Sequence, residues 1–254
     1  CHYEKINDVA FPSGYSELFA TCSLNDIRVW NTKTRQELLR IEVPGLECHC
    51  VYFTADGKSI LSGWNDGKIR SFLPQSGKLL YAINDSHNHG VTALCGTSDC
   101  QKIVSGGMEG EVRIWRIGRQ TQIMDCSLKE HRSRVSDIRV NKADTQAVSS
   151  SFDGSCIIWD IISNTRIMCL FESTMFKQVL YHPDESQVLT TGSNRKITYS
   201  LVVNKFLDVF ASIVSFILGL RHSDRSFMSF LKVNTRLTVF GRRNIFAEVF
   251  ILEL

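Results

Sequence analysis

SSSFDGSCIIWD at residues 149–160 and SGGMEGEVRIWR at residues 105–116 are the same sentence written twice, 44 positions apart. Each runs from a small hydroxyl residue through a carboxylate–glycine pair and a β-branched stretch to a tryptophan. Working outward, each copy is led by a histidine at the same distance. From His131 the steps are 18 to Ser149, 22 to Asp153 and 28 to Trp159; from His87 they are 18 to Ser105, 22 to Glu109 and 28 to Trp115. Val135 and Val91 follow their histidines by four residues, and Asp137 follows His131 by six. Asp153-Gly154 and Glu109-Gly110 sit between short apolar runs, where a residue able to take positive φ closes a hairpin. A period of this length, built from several short strands, is that of a β-propeller blade, which must stack on neighbours to bury both faces.

Three weaker copies lie in phase. His2 leads by 28 residues to Trp30, Trp30 to Phe72 is 42, Phe72 to Trp115 is 43, and Trp159 to Tyr199 is 40. Asp66-Gly67 repeats the turn dipeptide, while Asn25-Asp26 and Ser193-Asn194 are its relatives. The expected architecture is all-β, about five blades of an incomplete propeller over residues 1–199, followed by a non-repeat segment at 200–254.

These residues resemble the WD40 repeat. IIWD at 157–160 is a full copy of that family's blade-ending signature, and VRIWR at 112–116 and IRVWN at 27–31 lose only the final aspartate. The resemblance implies a structural relay within a blade: turn carboxylate to histidine, histidine to strand hydroxyl, hydroxyl to indole N–H. Such a network satisfies buried polar groups that would each cost roughly 1–3 kcal/mol unpaired. It is expected from His131, Ser149, Asp153 and Trp159 in the fourth copy, and from His87, Ser105, Glu109 and Trp115 in the third. Glu109, one methylene longer than aspartate, predicts strain or a bridging water there. The first copy has Leu24 at the nominal carboxylate position, unless a loop shift brings in Asn25 or Asp26. The second has Pro44 for histidine and Phe72 for tryptophan, and the fifth lacks histidine, aspartate and tryptophan at those steps.

Composition changes near Ser200. Of fifteen phenylalanines, eight follow that point. Seven of the 29 basic residues and four of the 26 acidic ones do too, so residues 1–200 balance at 22 of each. The basic excess therefore belongs to the tail, and a neutral blade array has no electrostatic footprint for nucleic acid. The apolar run at 206–220 holds Asp208 and falls short of the 18–20 residues or so that span a bilayer, so no membrane partner is expected. The tail is expected to be splice-derived or poorly ordered. Because Cys1 lies partway into a repeat, the chain is expected to be a piece of a longer protein. The nine scattered cysteines suit a reducing cytoplasm. Cys48-His49-Cys50 and the pair Cys95 and Cys100 lack the matched second pair of a zinc site, and neither metal nor cofactor is expected.

No catalytic constellation emerges. The glycines at 63 and 67 with Lys68 fall one residue short of a phosphate loop, and Ile69 stands where a hydroxyl should bind magnesium. The His/Ser/Asp sets contain the residues of a hydrolase triad. A triad, however, needs one solvent-reachable nucleophile beside an oxyanion hole, and these sets recur in successive blades with a tryptophan attached. The chain is read as a non-enzyme without a small-molecule substrate. In the family, the connections between the relay histidine and its strand surround one mouth of the central channel, which makes Arg132 and Arg134 candidates for contact with an acidic partner. Trp64, beside a hairpin turn, is a candidate binding anchor or, equally, packs over its own blade.

A narrower resemblance follows from FATCSLNDIRVWNTKTRQELLRI at 19–41 together with the two stretches quoted first. They look like the cilia- and flagella-associated WD-repeat proteins of axonemal doublet microtubules. That implies a double propeller longer than this chain, a place in the cytoplasm and the axoneme of cilium or flagellum, and tubulin and other axonemal proteins as partners. The alternative is a substrate-receptor or adaptor subunit of a ubiquitin ligase or other cytosolic complex. Ligase receptors often carry W-D-x-R, whereas Trp159-Asp160 is followed here by Ile161-Ile162.

Overall fold

The computed structural model describes residues 2–118 and 121–201, and every regular element among them is a strand. The Phe-rich segment, with the expectations that fall on it, lies outside the described residues.

Five antiparallel sheets follow one another along the chain. The first holds β1 (Asp8–Ala10), β2 (Leu18–Cys22), β3 (Leu24–Asn31) and the start of β4 (Glu37–Phe53). β4 then turns at Gly45, whose φ is +78°, and its second half opens the next sheet with β5 (Ile60–Trp64), β6 (Ile69–Phe72) and β7 (Leu79–Ile83). Its register shows the double role: Ile41 faces Ile27 of β3, and Val51 faces Ser62 of β5. The third sheet is β8 (Val91–Gly96), β9 (Lys102–Gly107), β10 (Glu111–Ile117) and β11 (Gln122–Lys129). The fourth is β12 (Val135–Val140), β13 (Gln146–Ser151), β14 (Ser155–Asp160) and β15 (Thr165–Phe171). The fifth has three described strands, β16 (Phe176–Tyr181), β17 (Gln187–Gly192) and β18 (Ile197–Leu201). One sheet thus stands for each sequence copy.

The sheets stack because inner strands such as β5 and β14 are buried on both faces. In β14 the two-residue alternation sends Ile157 and Trp159 toward the third sheet and Cys156 and Ile158 toward the fifth. Four buried clusters result, one between each pair of successive sheets. Tight approach is permitted by Gly63 and Gly106, where an added Cβ would come within 2.6 Å of Val91 and 2.5 Å of Val135, respectively. The first strands of the sheets, β1, β4, β8, β12 and β16, contact one another in that order. They surround a cavity of about 350 Å³. This is a propeller arc, and no strand pairing joins its first and last sheets among the described residues.

Candidate functional site

Two sets of polar residues stand out from this apolar stack: the relays inside the blades and the lining of the central cavity.

The third blade has a direct relay. The Trp115 indole N–H donates to Ser105 Oγ at 2.9 Å, His87 Nε2 lies 2.9 Å from the same oxygen, and His87 Nδ1 lies 2.9 Å from Glu109 Oε1. Glu109, with its extra methylene, meets the histidine directly, while its Oε2 is buried without a hydrogen bond. Burial raises the Glu109 carboxyl, but the His87 hydrogen bond and backbone donors outweigh it and hold the group down to about 2.

The fourth blade differs from expectation. Trp159 donates to Ser149 at 2.8 Å, and His131 Nε2 sits 2.7 Å from that hydroxyl. His131 Nδ1, however, meets Ser155 Oγ at 2.6 Å, and Ser155 donates onward to Asp153 at 2.5 Å. Asp153 itself is 3.8 Å from the imidazole, too far for a hydrogen bond. That same oxygen, Oδ2, accepts the Arg132 amide at 2.6 Å. Burial again works upward on Asp153, and the histidine beside it, the Ser155 hydroxyl and the backbone amides pull it below the usual carboxylate range.

A third relay closes in the first blade. His2 bonds Asp26 at 2.6 Å and Thr21 at 2.6 Å, and Trp30 donates to Thr21 at 2.8 Å. Asn25, at φ 68°, absorbs the extra length of the hairpin, so Asp26 replaces the nominal Leu24. The second blade uses a substitute. Trp64 is fully buried and donates to Ser62, two residues before it, at 2.8 Å. Trp64 thus fills the indole role that Phe72 cannot, and of its two expected readings, anchor or packing, its full burial fits the packing one. His87, Glu109 and Glu111 bring three metal-type ligand atoms within 4.8 Å of one another. Both nitrogens of His87 are engaged, and Glu111 is held by Arg113 at 2.6 Å, which accounts for the cluster without a cation.

Around the cavity, Asp8 and Asp137 act as staples between blades. Asp8 accepts the amides of Val9 (2.8 Å) and, in the next sheet, Val51 (3.0 Å). Asp137 accepts those of Ile138 (2.9 Å) and, in the next sheet, Val179 (3.2 Å). Burial raises both carboxyls, Asp137 to about 6 despite the nearby Arg139. Of the two arginines expected at a partner surface, Arg132 is exposed and lies off the cavity. Arg134 lines it, with its guanidinium 5.7 Å from the Phe152 ring. Sequence reasoning weighed His49 only as part of a zinc-like run and passed over Phe152 and Lys177; all three line the same cavity. The signal was present in the spacing: His49, Thr92, Ser136 and Lys177 recur at nearly the blade period. Cys48 and Cys50, on either side of His49, are buried thiols pushed up by desolvation, which makes them packing residues.

Stacked antiparallel meanders with an indole-to-hydroxyl bond in each of the first four blades define a repeat-built β-propeller scaffold. The chain contains WD40 repeats: the family described as "WD domain, G-beta repeat" matches residues 77–116 and 124–160. It is similar to cilia- and flagella-associated protein 52 of Homo sapiens, 53% identical over 199 residues, and of Mus musculus, 54% identical over 199. The protein of that name from Chlamydomonas reinhardtii is 54% identical over 198 residues. In each case the match covers 78% of this chain and 32% of the relative, so the chain spans about a third of the length of these relatives.

Proposed function

We propose that this chain is a non-catalytic scaffold of the ciliary and flagellar axoneme, binding inside doublet microtubules through tubulin and other axonemal proteins. The observation that carries the reading is the identity above 50% to proteins named as cilia- and flagella-associated, sustained across the repeat region from mammals to an alga. The repeated His/Ser/carboxylate sets support a scaffold rather than a hydrolase. Ser105 and Ser149 are fully buried beneath their tryptophans, so neither is a reachable nucleophile.

Co-sedimentation with doublet microtubules from isolated axonemes, before and after high-salt extraction, tests this. Salt screens exposed charge pairs and strips externally held proteins, whereas one enclosed in the lumen stays with the pellet. Persistence through extraction is the expected result. Release by salt would place the chain on the outside, and absence from axonemes would overturn the reading.

A further inference from the structure

The cavity at the centre of the arc has unanswered hydrogen-bond donors. In each of β4, β8, β12 and β16 the register slips by one residue at the same point, between Cys48 and Cys50, Val91 and Ala93, Val135 and Asp137, and Phe176 and Gln178. A bulge leaves one residue unopposed and re-aims its side chain. The residues so placed are His49, Thr92, Ser136 and Lys177, and all four line the cavity. Two of them are satisfied by the protein: Thr92 donates to the Val135 carbonyl at 2.5 Å, and Ser136 shares a hydrogen bond with Ser150 at 2.9 Å.

The other two, His49 and Lys177, find no such hydrogen bond; the His49 ring has Glu47 3.9 Å from its Nδ1, and burial, with Arg134 nearby, holds it toward its neutral form. His49 Nε2 and Arg134 Nε are buried without an acceptor, and the His49 side chain is 8% exposed. Lys177 Nζ lies 5.3 Å from the centre of the Phe152 ring that Arg134 also overhangs, so both cations converge on one spot. No acid pairs with Arg134 or Lys177 among the described residues. The acids of the cavity, Asp8 and Asp137, are taken up by backbone amides, and Arg139 stands 3.4 Å from Asp137. A buried donor without an acceptor is costly, and a charged one more so.

We infer that this mouth of the cavity is a carboxylate-binding site, formed by His49, Arg134 and Lys177 around Phe152, and that it takes a glutamate or aspartate side chain from an acidic segment of a partner protein. Carboxylate is favoured over phosphate because phosphate sites draw on free backbone N–H groups. Here the inner-strand amides of Val9, Val51, Ile138 and Val179 are already bound to Asp8 and Asp137. Phe152 gives the methylenes of an acidic side chain an apolar surface beside the cations. The inference deepens the scaffold reading by giving the partner a chemistry, and it does not depend on the axonemal location.

The test is fluorescence anisotropy of labelled hexaglutamate with the full 254-residue chain at an ionic strength of roughly 0.15 M. Saturable binding is expected, weakened about tenfold or more by Arg134→Gln and by Lys177→Gln, as the loss of one charge-assisted hydrogen bond predicts. Arg132→Gln removes the same charge from an exposed neighbour and is expected to leave affinity unchanged. Lys177 is exposed, so its variant keeps the test valid if Arg134→Gln fails to fold. Equal affinity in all variants, or displacement of the peptide by inorganic phosphate at matching concentration, would overturn the inference. Because the probe needs no axonemes, a failed sedimentation leaves this result standing, and the reverse also holds.

Discussion

At the scale of single residues, the relays show how little of a hydrogen-bond network follows from spacing alone. The tryptophan and the strand hydroxyl were legible because they sit on adjacent strands of one hairpin, where register converts sequence distance into contact. The carboxylate was not, because it sits in the turn, where one added residue redirects every side chain. Asp26 reaches His2 only through the left-handed Asn25, and Asp153 reaches His131 only through Ser155. These carboxylates also give the fold a pH signature. Glu109 is held at about 2 from an ordinary 4.5, so the stability it contributes is fully present above 4.5 and is lost as pH falls toward 2. Asp137 has the opposite sign. Raised from 3.8 to about 6, it favours the folded state at low pH and withdraws that contribution as pH rises from 3.8 to 6. Urea midpoints measured between pH 2 and 7 are expected to fall below pH 4.5. Glu109→Gln is expected to flatten that limb while leaving the slope between pH 4 and 6 in place; an unchanged acid limb in the variant would count against the assignment.

Among elements, the turns between the first two strands of the fourth and fifth sheets act as clasps. In the fourth blade Asp144, at φ 55°, accepts the Ser98 amide of the third at 2.9 and 3.0 Å, and the Ser98 hydroxyl as well. In the fifth, Glu185, at φ 59°, accepts the Lys142 amide of the fourth. The matching position in the third blade is Cys100, at φ 58°, whose thiol cannot serve the second blade's Ala55 in this way. Cys100→Asp is therefore expected to stabilise the chain by about 0.5–1.5 kcal/mol, the net worth of one such hydrogen bond, with aspartate also tolerating the left-handed backbone better. Denaturant unfolding measures it, and an unchanged or lowered midpoint would show that the clasp adds nothing. The Asp/Asn content of these turns was visible in the sequence, but the partner in the neighbouring blade was not.

Over the whole molecule, stability rests on contact between sheets, and these contacts repeat as the sequence does. Gly106 lets Val135 of the next blade close in, as Gly63 does for Val91. Gly106→Ala is expected to cost about 1–3 kcal/mol by overpacking this seam, and Gly63→Ala a similar amount at its own. Val135→Ala combined with Gly106→Ala should recover part of the loss if the clash is the cause. The readout is the denaturant midpoint of each single variant and of the pair; strict additivity would mean that the two side chains do not meet.

The sequence by itself determined the repeat, the number of sheets, the hairpin positions and the indole–hydroxyl pairs of the third and fourth blades. All of these are periodic features settled within one copy by strand alternation and turn chemistry. Only the tertiary structure decided that Trp64 is buried, which turn residue completes each relay, and that His49, Arg134 and Lys177 share one cavity. The relay partners are settled by turn geometry, and the other two outcomes depend on side chains from different blades. Their meeting is set by bulges and by the stacking of sheets, which spacing along a single copy does not encode.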